Sequence, residues 1–306
     1  MGRFLLKRIL QGAIVVIGVT VVVFVVTRLI GDPVRVMLPL EATAEQRAAF
    51  AAQLGFDRPL HVQFFDFIGS ALRFDFGNSL WQDRPALEIV LEALPRTLLL
   101  VGASMVLAVI IAIPLGILTS LKPGGFLDRL LVTLSLTGLS MPNFWLGLLL
   151  IVIFGVQLQI FPIFGSGTLM HAVLPTITFA LPSAARLVML TRSAMIDELN
   201  KSYVALVKAK NVPFRRLIGA HAFRNAAVPV MTMTGWEIIR ALAGYSVVVE
   251  TVFAWPGLGF LAIQSITRQD LILLQAIVFV VALMIITINI LMDVAYKYID
   301  PRIKLT

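Results

Sequence analysis

The chain has 306 residues, of which 59% are hydrophobic and 14% are charged, and its mean hydropathy is +0.94. Soluble domains are nearer half apolar and a quarter charged, so this balance excludes an ordinary cytosolic enzyme. Long uninterrupted apolar runs indicate helical membrane spans. The sequence contains no cysteine, which excludes disulfides, thiolate metal sites and a cysteine nucleophile. We therefore predict an all-α, polytopic membrane protein.

Six apolar runs are long enough to cross a bilayer as helices. The first follows a basic N-terminal cluster and lacks a small-residue cleavage site, so we interpret it as a retained span and not as a signal peptide. The longest run, 130–185, is divided by a polar, turn-forming stretch between residues 157 and 167. The six predicted transmembrane helices lie near 9–27, 97–121, 130–155, 173–194, 226–249 and 271–292.

The loop charges predict the orientation of these spans, because cytoplasmic loops of inner-membrane proteins carry an excess of Lys and Arg. The N-terminus, the loop after residue 121, the segment 192–224 and the tail together hold 15 basic and five acidic residues. On the opposite side, 31–96 holds six basic and nine acidic residues. Both termini are therefore expected in the cytoplasm. The net charge of +8 is then explained without nucleic acid as a partner.

These boundaries predict a cytoplasmic N-terminus with the first transmembrane helix (1–30), a periplasmic segment (31–96) and a five-helix core (97–306). The core contains an inner loop at about 197–225. The periplasmic segment carries six aromatic residues between 64 and 81. Two interpretations stay open for them: an interfacial belt beside a span, or a surface subdomain that helps to receive something from the periplasm.

The sequence lacks the common motifs of catalysis and nucleotide binding. H-E-x-x-H, the phosphate loop G-x-x-x-x-G-K-[ST] and the G-x-S-x-G elbow are all absent. His61, His171 and His221 are far apart in the sequence, which disfavours a metal site built on them. We therefore predict no catalytic residues, no metal and no cofactor in this chain.

Charged residues inside the predicted spans are few, and such residues mark translocation paths by default. Arg28 lies close enough to a span end to reach the interface with its side chain. Glu237 and Arg240 are three residues apart on one helix face, so we expect them to neutralise each other. Arg186 is then the best candidate for a lone charge that faces the pathway.

The inner loop contains a short helix with distinct ends. Ser202 is expected to cap a helix that begins at Tyr203, Asn211 can adopt the left-handed conformation that ends it, and Pro213 blocks its continuation. The helix is about two turns long, partly apolar and flanked by basic residues. It lies either on anionic lipid headgroups or against a soluble partner.

Several stretches, in this order, resemble the B-type permease subunit of the dipeptide/oligopeptide family of ABC importers along the whole chain. The inner loop resembles the family's cytoplasmic coupling loop. The stretches are Gly31-Asp32-Pro33, LGFDRPLHVQF (54–64), FDFGNS (74–79), LPRTL (94–98), SMPNFWLGLLL (140–150), HAFRNAAVPV (221–230), VVETVFAWPGLGF (248–260) and YKYIDPRIK (296–304). One departure is Asn211, where the family usually has glycine.

The resemblance implies a type I ABC importer permease fold and an inner-membrane location. It also implies three kinds of protein partner: a second, homologous permease subunit that completes a heterodimer, two ATPase subunits that bind ATP and Mg, and a periplasmic solute-binding protein. Membrane lipid surrounds the chain. The residues expected to couple the ATPases to transport are Tyr203, Leu206, Val207, Lys208, Ala209, Lys210, Asn211, Arg215, Arg216 and His221. The residues expected on the pathway are Arg186, Glu237 and Arg240.

The substrate class implied by the resemblance is peptides, with glutathione, a nickel chelate or another small solute as alternatives. A secondary transporter or channel is the competing class, because it would have a similar composition and topology. Secondary transporters of this size usually need more spans or internal repeats, and they do not require a basic docking loop. Both features favour the ABC importer permease.

Overall fold

The computed structural model describes residues 2–30, 38, 42–53 and 57–299. In that part of the chain the regular elements are helices, and a single antiparallel bridge joins Asn78 to Pro85. The all-α prediction is confirmed. The α-helices are α1 (Gly2–Ile30), α2 (Ala44–Gln53), α3 (Leu60–Leu72), α4 (Ala86–Leu121), α5 (Phe126–Ser140), α6 (Asn143–Leu150), α7 (Leu169–Leu199), α8 (Ser202–Ala209), α9 (Phe214–Arg216), α10 (Arg224–Arg240), α11 (Ser246–Val252), α12 (Leu258–Thr267) and α13 (Leu271–Ile299).

Some of the matching stretches fall on residues outside the described part. These are Gly31-Asp32-Pro33, the start of LGFDRPLHVQF and the end of YKYIDPRIK, and the side chain of Arg28 is outside it as well.

Four of the described helices are each long and apolar enough to cross a membrane. A fifth crossing is reached if α5 and the helical run Asn143–Gln157 form one broken span. The four helical spans are Leu6–Val26, Ala86–Leu121, Leu169–Leu199 and Leu271–Ala295. Six spans were predicted from the sequence, and the structure differs from that prediction in the two regions 126–157 and 224–252.

The region of the span predicted at 130–155 is helical, but its two halves are bent by 102° relative to each other. The bend falls at Met141, whose φ of −85° and ψ of 130° are extended, and at Pro142, which precedes the first turn of α6. A residue before proline is sterically disfavoured from helical conformation, so α5 has to end there. Beyond α6 the chain continues as a π-helical turn, Ile151–Gln157.

The predicted span at 226–249 is helical, but it consists of three consecutive pieces. A π-helical turn, Ala241–Tyr245, separates α10 from α11. Pro229 lies inside α10, together with the charged pair Glu237 and Arg240. Because of these interruptions the region is not one continuous apolar helix. π-Helical turns inside helices are frequent at functional sites.

The described chain forms two compact units, Met1–Thr97 with Pro256–Ile286 and Leu98–Trp255 with Thr287–Thr306. In the first unit, the start of α4 packs with α12 and α13 around a buried apolar cluster. Four of the six aromatic residues between positions 64 and 81 contact phenylalanines on this unit's helices: Phe64 and Phe67 contact Phe24, and Phe74 and Phe76 contact Phe279.

A buried carboxylate fixes the loop between α3 and α4 in the first unit. Asp270 is fully buried and accepts hydrogen bonds from the Ser79 hydroxyl at 2.5 Å, the Trp81 amide at 3.2 Å and the Leu273 amide at 3.0 Å. The Arg268 guanidinium lies 4.3 Å from the centre of the Trp81 ring. The loop 74–85 is therefore attached to the start of α13 by one side chain.

In the second unit, α4 packs against α7 through small side chains. The buried cluster consists of Met105, Ala108, Ala112, Ala180, Ala184, Leu187 and Val188. The closest approach is at Gly116, where a Cβ would lie 2.5 Å from the Cβ of Thr191. Small residues let membrane helices approach closely, and here they hold α7 in a fixed position in its unit.

Candidate functional site: a coupling segment and a charge cluster

The coupling segment, residues 197–225, begins with the last turn of α7 and continues into the two-turn helix α8. The predicted helix is confirmed, but the predicted cap is wrong. Lys201 occupies the N-cap position without a side-chain hydrogen bond, and Ser202 is the first helical residue.

The turn after α8 has the predicted left-handed conformation. Asn211 has a φ of +54°, and its amide donates to the Lys208 carbonyl at 3.0 Å. Pro213 follows and precedes the first residue of α9. The helix is thus two turns long and ends where the sequence predicts, residues 210–213 form the turn, and Phe214–Arg216 begins a second helical run that continues into α10.

The inner face of α8 is packed against the chain itself. Val204 is buried, and Tyr203 and Val207 are half-buried. Their surroundings are formed by α7, by the π-helical turn Leu217–Phe223 and by the start of α10, through Met195, Leu217, Ile218, Ala222 and Ala226. We expected Leu206 on the same apolar face, but its side chain is 59% exposed. The helix is thus firmly attached on one side and leaves Leu206 free on the other.

A carboxylate that the sequence reasoning missed joins the two ends of the coupling segment. Glu198 accepts hydrogen bonds from the Lys201 ammonium, from the Tyr203 hydroxyl at 2.9 Å and from the Asn225 amide group at 3.2 Å. The Tyr203 hydroxyl also lies 3.4 Å from the His221 carbonyl. Burial and the bond to Glu198 raise the pKa of Tyr203, and Glu198 raises the pKa of Lys201. Lys201 and Tyr203 therefore stay protonated at neutral pH.

The coupling segment exposes two large apolar side chains and several basic ones. Leu206 and Phe214 are each 59% exposed. Residues 199–216 contain no acid. We name this surface the docking face, and its exposed members are Leu206, Lys208, Ala209, Lys210, Asn211, Phe214, Arg215 and Arg216.

Asn211 gives a direct test of the turn between α8 and α9. Asn211→Gly should be neutral or slightly stabilising, because glycine adopts positive φ without a steric penalty. Asn211→Val should cost roughly 1–2 kcal/mol locally, since a β-branched residue clashes in this conformation. Hydrogen exchange of residues 202–216 in the purified complex measures the difference. Equal exchange in both variants would contradict the role of the turn.

The three intramembrane charges form one cluster, and Arg186 is not the lone charge that we expected. Arg186 binds Glu237 with two hydrogen bonds of 2.6 Å, one to each carboxylate oxygen, and the Ser183 hydroxyl donates to the same carboxylate at 2.9 Å. Arg240 is 3.7 Å from Glu237, so the expected pair exists but is the weaker of the two. Glu237 is 2% exposed, whereas Arg240 is 49% exposed.

A second ion pair, between Arg192 and Asp128, joins α7 to α5. In the sequence, Asp128 was counted only as one of the loop charges. Arg192 donates to Asp128 at 2.5 and 2.8 Å, and the Gly124 amide donates to the same carboxylate at 2.7 Å. Arg186, Arg192 and Glu198 are spaced six residues apart on α7. Arg186 connects this helix to the last turn of α10, Arg192 connects it to α5, and Glu198 connects it to α8 and to the start of α10, so α7 links the charge cluster to the coupling segment.

The three histidines have separate positions. His171 forms a capping box with Thr168 at the start of α7. His61 lies exposed on α3, and His221 is half-buried in the π-helical turn of the coupling segment.

The described chain thus combines apolar helices long enough to cross a membrane with an exposed basic segment and an internal charge cluster. Comparison with known proteins identifies the family. The chain belongs to the binding-protein-dependent transport system inner membrane components, whose model matches residues 112–305, and the N-terminal model of the same system matches residues 1–101. The protein is thus the permease subunit of an ABC importer, a multi-pass membrane component that is not itself catalytic.

Two relatives match along nearly the whole chain. The glutathione transport system permease protein GsiC of Salmonella typhimurium is 39% identical, with 99% of each chain covered. The oligopeptide transport system permease protein AppB of Bacillus subtilis is 34% identical, with 99% of this chain and all of that protein covered. A chain of the MetNI methionine ABC transporter, solved in inward-facing conformations, shares the fold with a TM-score of 0.58. It is 17% identical and covers 69% of this chain and 96% of its own length.

Proposed function

We propose that this subunit imports di- or oligopeptides from the periplasm to the cytoplasm, driven by ATP that partner subunits hydrolyse. The relatives support this substrate class, because one is named for oligopeptides and the other for glutathione, which is itself a tripeptide. Glutathione is the second candidate for the same reason.

The assembly that we propose contains this chain, a second homologous permease subunit, two ATPase subunits that bind ATP and Mg, and a periplasmic solute-binding protein. The excess of basic residues in alternate loops supports an arrangement with both termini and the coupling segment in the cytoplasm. Arg186, Glu237 and Arg240 then lie on or beside the pathway.

We base the proposal that this subunit couples ATP hydrolysis to transport on the docking face. Its two exposed apolar side chains fit a pocket on an ATPase subunit, and the surrounding basic side chains fit an acidic rim. The bonds between Glu198, Tyr203 and Asn225 attach this face to α7 and α10. When the ATPases close on ATP, they move the segment as a rigid body, and α7 and α10 move with it.

Charge reversal on the docking face tests the coupling. In the complete complex reconstituted in proteoliposomes, the double variant Arg215→Glu/Arg216→Glu and the variant Leu206→Asp should each lower peptide uptake per ATP hydrolysed by about tenfold or more. The matched control is Arg73→Glu, an exposed arginine far from the coupling segment in the sequence, which should transport normally. Wild-type uptake by the docking-face variants would refute the proposal.

The substrate class is tested separately with the wild-type complex. Uptake of a labelled dipeptide, a labelled pentapeptide and labelled glutathione is compared at equal concentrations of loaded binding protein. We expect ATP-dependent uptake of at least one of the two peptides. Uptake of glutathione alone would favour the second candidate, and uptake of none of the three would overturn the substrate proposal.

A further inference from the structure

The charge cluster carries one positive charge more than its carboxylate can balance. Both oxygens of Glu237 already bind Arg186 at 2.6 Å, and Ser183 adds a third hydrogen bond. Arg240 approaches the same carboxylate only to 3.7 Å, and that is its one ion pair within the described part of the chain. Two guanidinium groups and one carboxylate leave a net charge of +1.

The uncompensated charge lies well inside the membrane span that the sequence predicts at 226–249. Arg240 is fourteen residues after the start of that predicted span and nine before its end, just before the π-helical turn Ala241–Tyr245. At about 1.5 Å per residue it is roughly 13 Å or more from either end of that span. A lipid phosphate at the membrane surface does not reach this depth, so the anion that Arg240 binds has to come from within the pathway.

The exposed side of Arg240 identifies where the pathway runs. Trp236, one turn earlier, is 60% exposed, and Ala243, one turn later, is exposed as well. The three residues form a stripe along one face of the helical run. A guanidinium that is 49% exposed at this depth is very costly in lipid, and such groups face a water-filled cavity or the interior of a bundle. The stripe therefore faces water and not acyl chains.

We propose that Arg240 is a specificity-determining residue that binds the free carboxylate of the transported peptide, while Arg186 and Glu237 hold it in place. Trp236 provides an apolar surface for the neighbouring side chain of the peptide. This inference rests on the proposed function, because it names the group by which the permease recognises the substrates proposed above. It predicts that the permease itself binds a peptide with a free C-terminal carboxylate more tightly than the same peptide with a C-terminal amide, and that this preference does not require the binding protein.

The absence of cysteine from the chain allows a direct test. Ala243→Cys places a single thiol one turn from Arg240 on the exposed stripe, and Ala241→Cys places one at a neighbouring position that is only 1% exposed. In the complete nucleotide-free complex in lipid nanodiscs, without binding protein, a hydrophilic maleimide should label residue 243 at least tenfold faster than residue 241. Failure to label residue 243 would show that the stripe does not face water and would overturn the inference.

Protection by peptide then tests the carboxylate contact. Alanyl-phenylalanine should slow labelling of Ala243→Cys, and its C-terminal amide should require a concentration about tenfold higher or more, since one charge-assisted hydrogen bond is lost. When Arg240→Gln is added, the free acid should protect only at the concentration that the amide requires. With Arg240→Lys instead, the acid should again protect at a lower concentration than the amide, by a smaller factor than with Arg240. Equal protection by acid and amide, no protection by either, or no effect of Arg240→Gln would overturn the inference.

These outcomes are distinguishable from a failure of the proposed function. If the wild-type complex imports peptides but shows no preference for the free carboxylate at residue 243, the role of Arg240 is wrong and the transport function stands. If the wild-type complex imports no peptide, the substrate proposal itself is wrong.

Discussion

Glu237→Leu should destabilise the protein by about 3–5 kcal/mol, because it leaves the Arg186 guanidinium without its carboxylate in a poorly solvated site. The double variant Arg186→Leu/Glu237→Leu should recover most of this loss, since replacing a whole buried pair by apolar residues is often close to neutral. The measurement is the thermal unfolding of the purified complex in detergent.

The matched control for that experiment is Glu92→Leu. Glu92 binds Arg84 at 2.6 Å, but its side chain is 55% exposed, and ion pairs in water contribute little to stability, so the unfolding temperature should change little. A double variant that is no more stable than Glu237→Leu alone would show that the two residues contribute separately and not as a pair.

Asp270→Asn should release the loop 74–85 from the start of α13. The amide group of asparagine presents donors where the carboxylate accepts from Ser79, Trp81 and Leu273, so at least one buried donor loses its partner. We expect faster hydrogen exchange of the backbone amides in this loop, by on the order of tenfold to a hundredfold, because a hydrogen bond to a charged group contributes roughly 1.5–3 kcal/mol.

Asp66→Asn is the corresponding control, because Asp66 is 61% exposed and its one ion pair within the described residues is with Arg58. It should leave exchange in the loop unchanged. Unchanged exchange in Asp270→Asn would mean that apolar packing, including that of Phe74 and Phe76 on Phe279, is sufficient to hold the loop.

Polar contacts along α7 connect the coupling segment to the charge cluster. Asp128 belongs to α5, Asn225 and Glu237 belong to the start and the last turn of α10, and each is bonded to a side chain of α7. Low local dielectric makes each bond stronger than it would be in water and makes its loss more costly. A displacement of the coupling segment therefore moves the helices as one packed group more readily than it distorts them.

Several local features could be predicted from single residues because the backbone itself imposes them. Asn211 was expected in the left-handed conformation, and Pro213 was expected to stop the helix before it; both hold in the structure. Pro142 carries the same kind of information, because a proline inside a predicted span permits a bend. The size of that bend, 102°, is given only by the structure.

The partners of the buried charges could not be predicted from single residues. Arg186 lies 51 residues from Glu237, and Arg192 lies 64 residues from Asp128. Periodicity within one helix suggests Glu237 and Arg240 as neighbours, and they are, but the closer bidentate contact comes from another helix. Hydrophobic patterning indicates which residues enter the membrane and gives no information on which helix packs beside which.

The sequence by itself determined the class of protein, because composition, the length of apolar runs and the motif order depend on the chain alone. It also determined the short helix and the turn of the coupling segment, since these follow from local conformational preferences. The tertiary structure alone decided that Leu206 faces outward, that Glu198 joins the ends of the coupling segment and that Arg240 is left with an unbalanced charge. These features depend on contacts between residues distant in the chain, which arise only when the helices pack together.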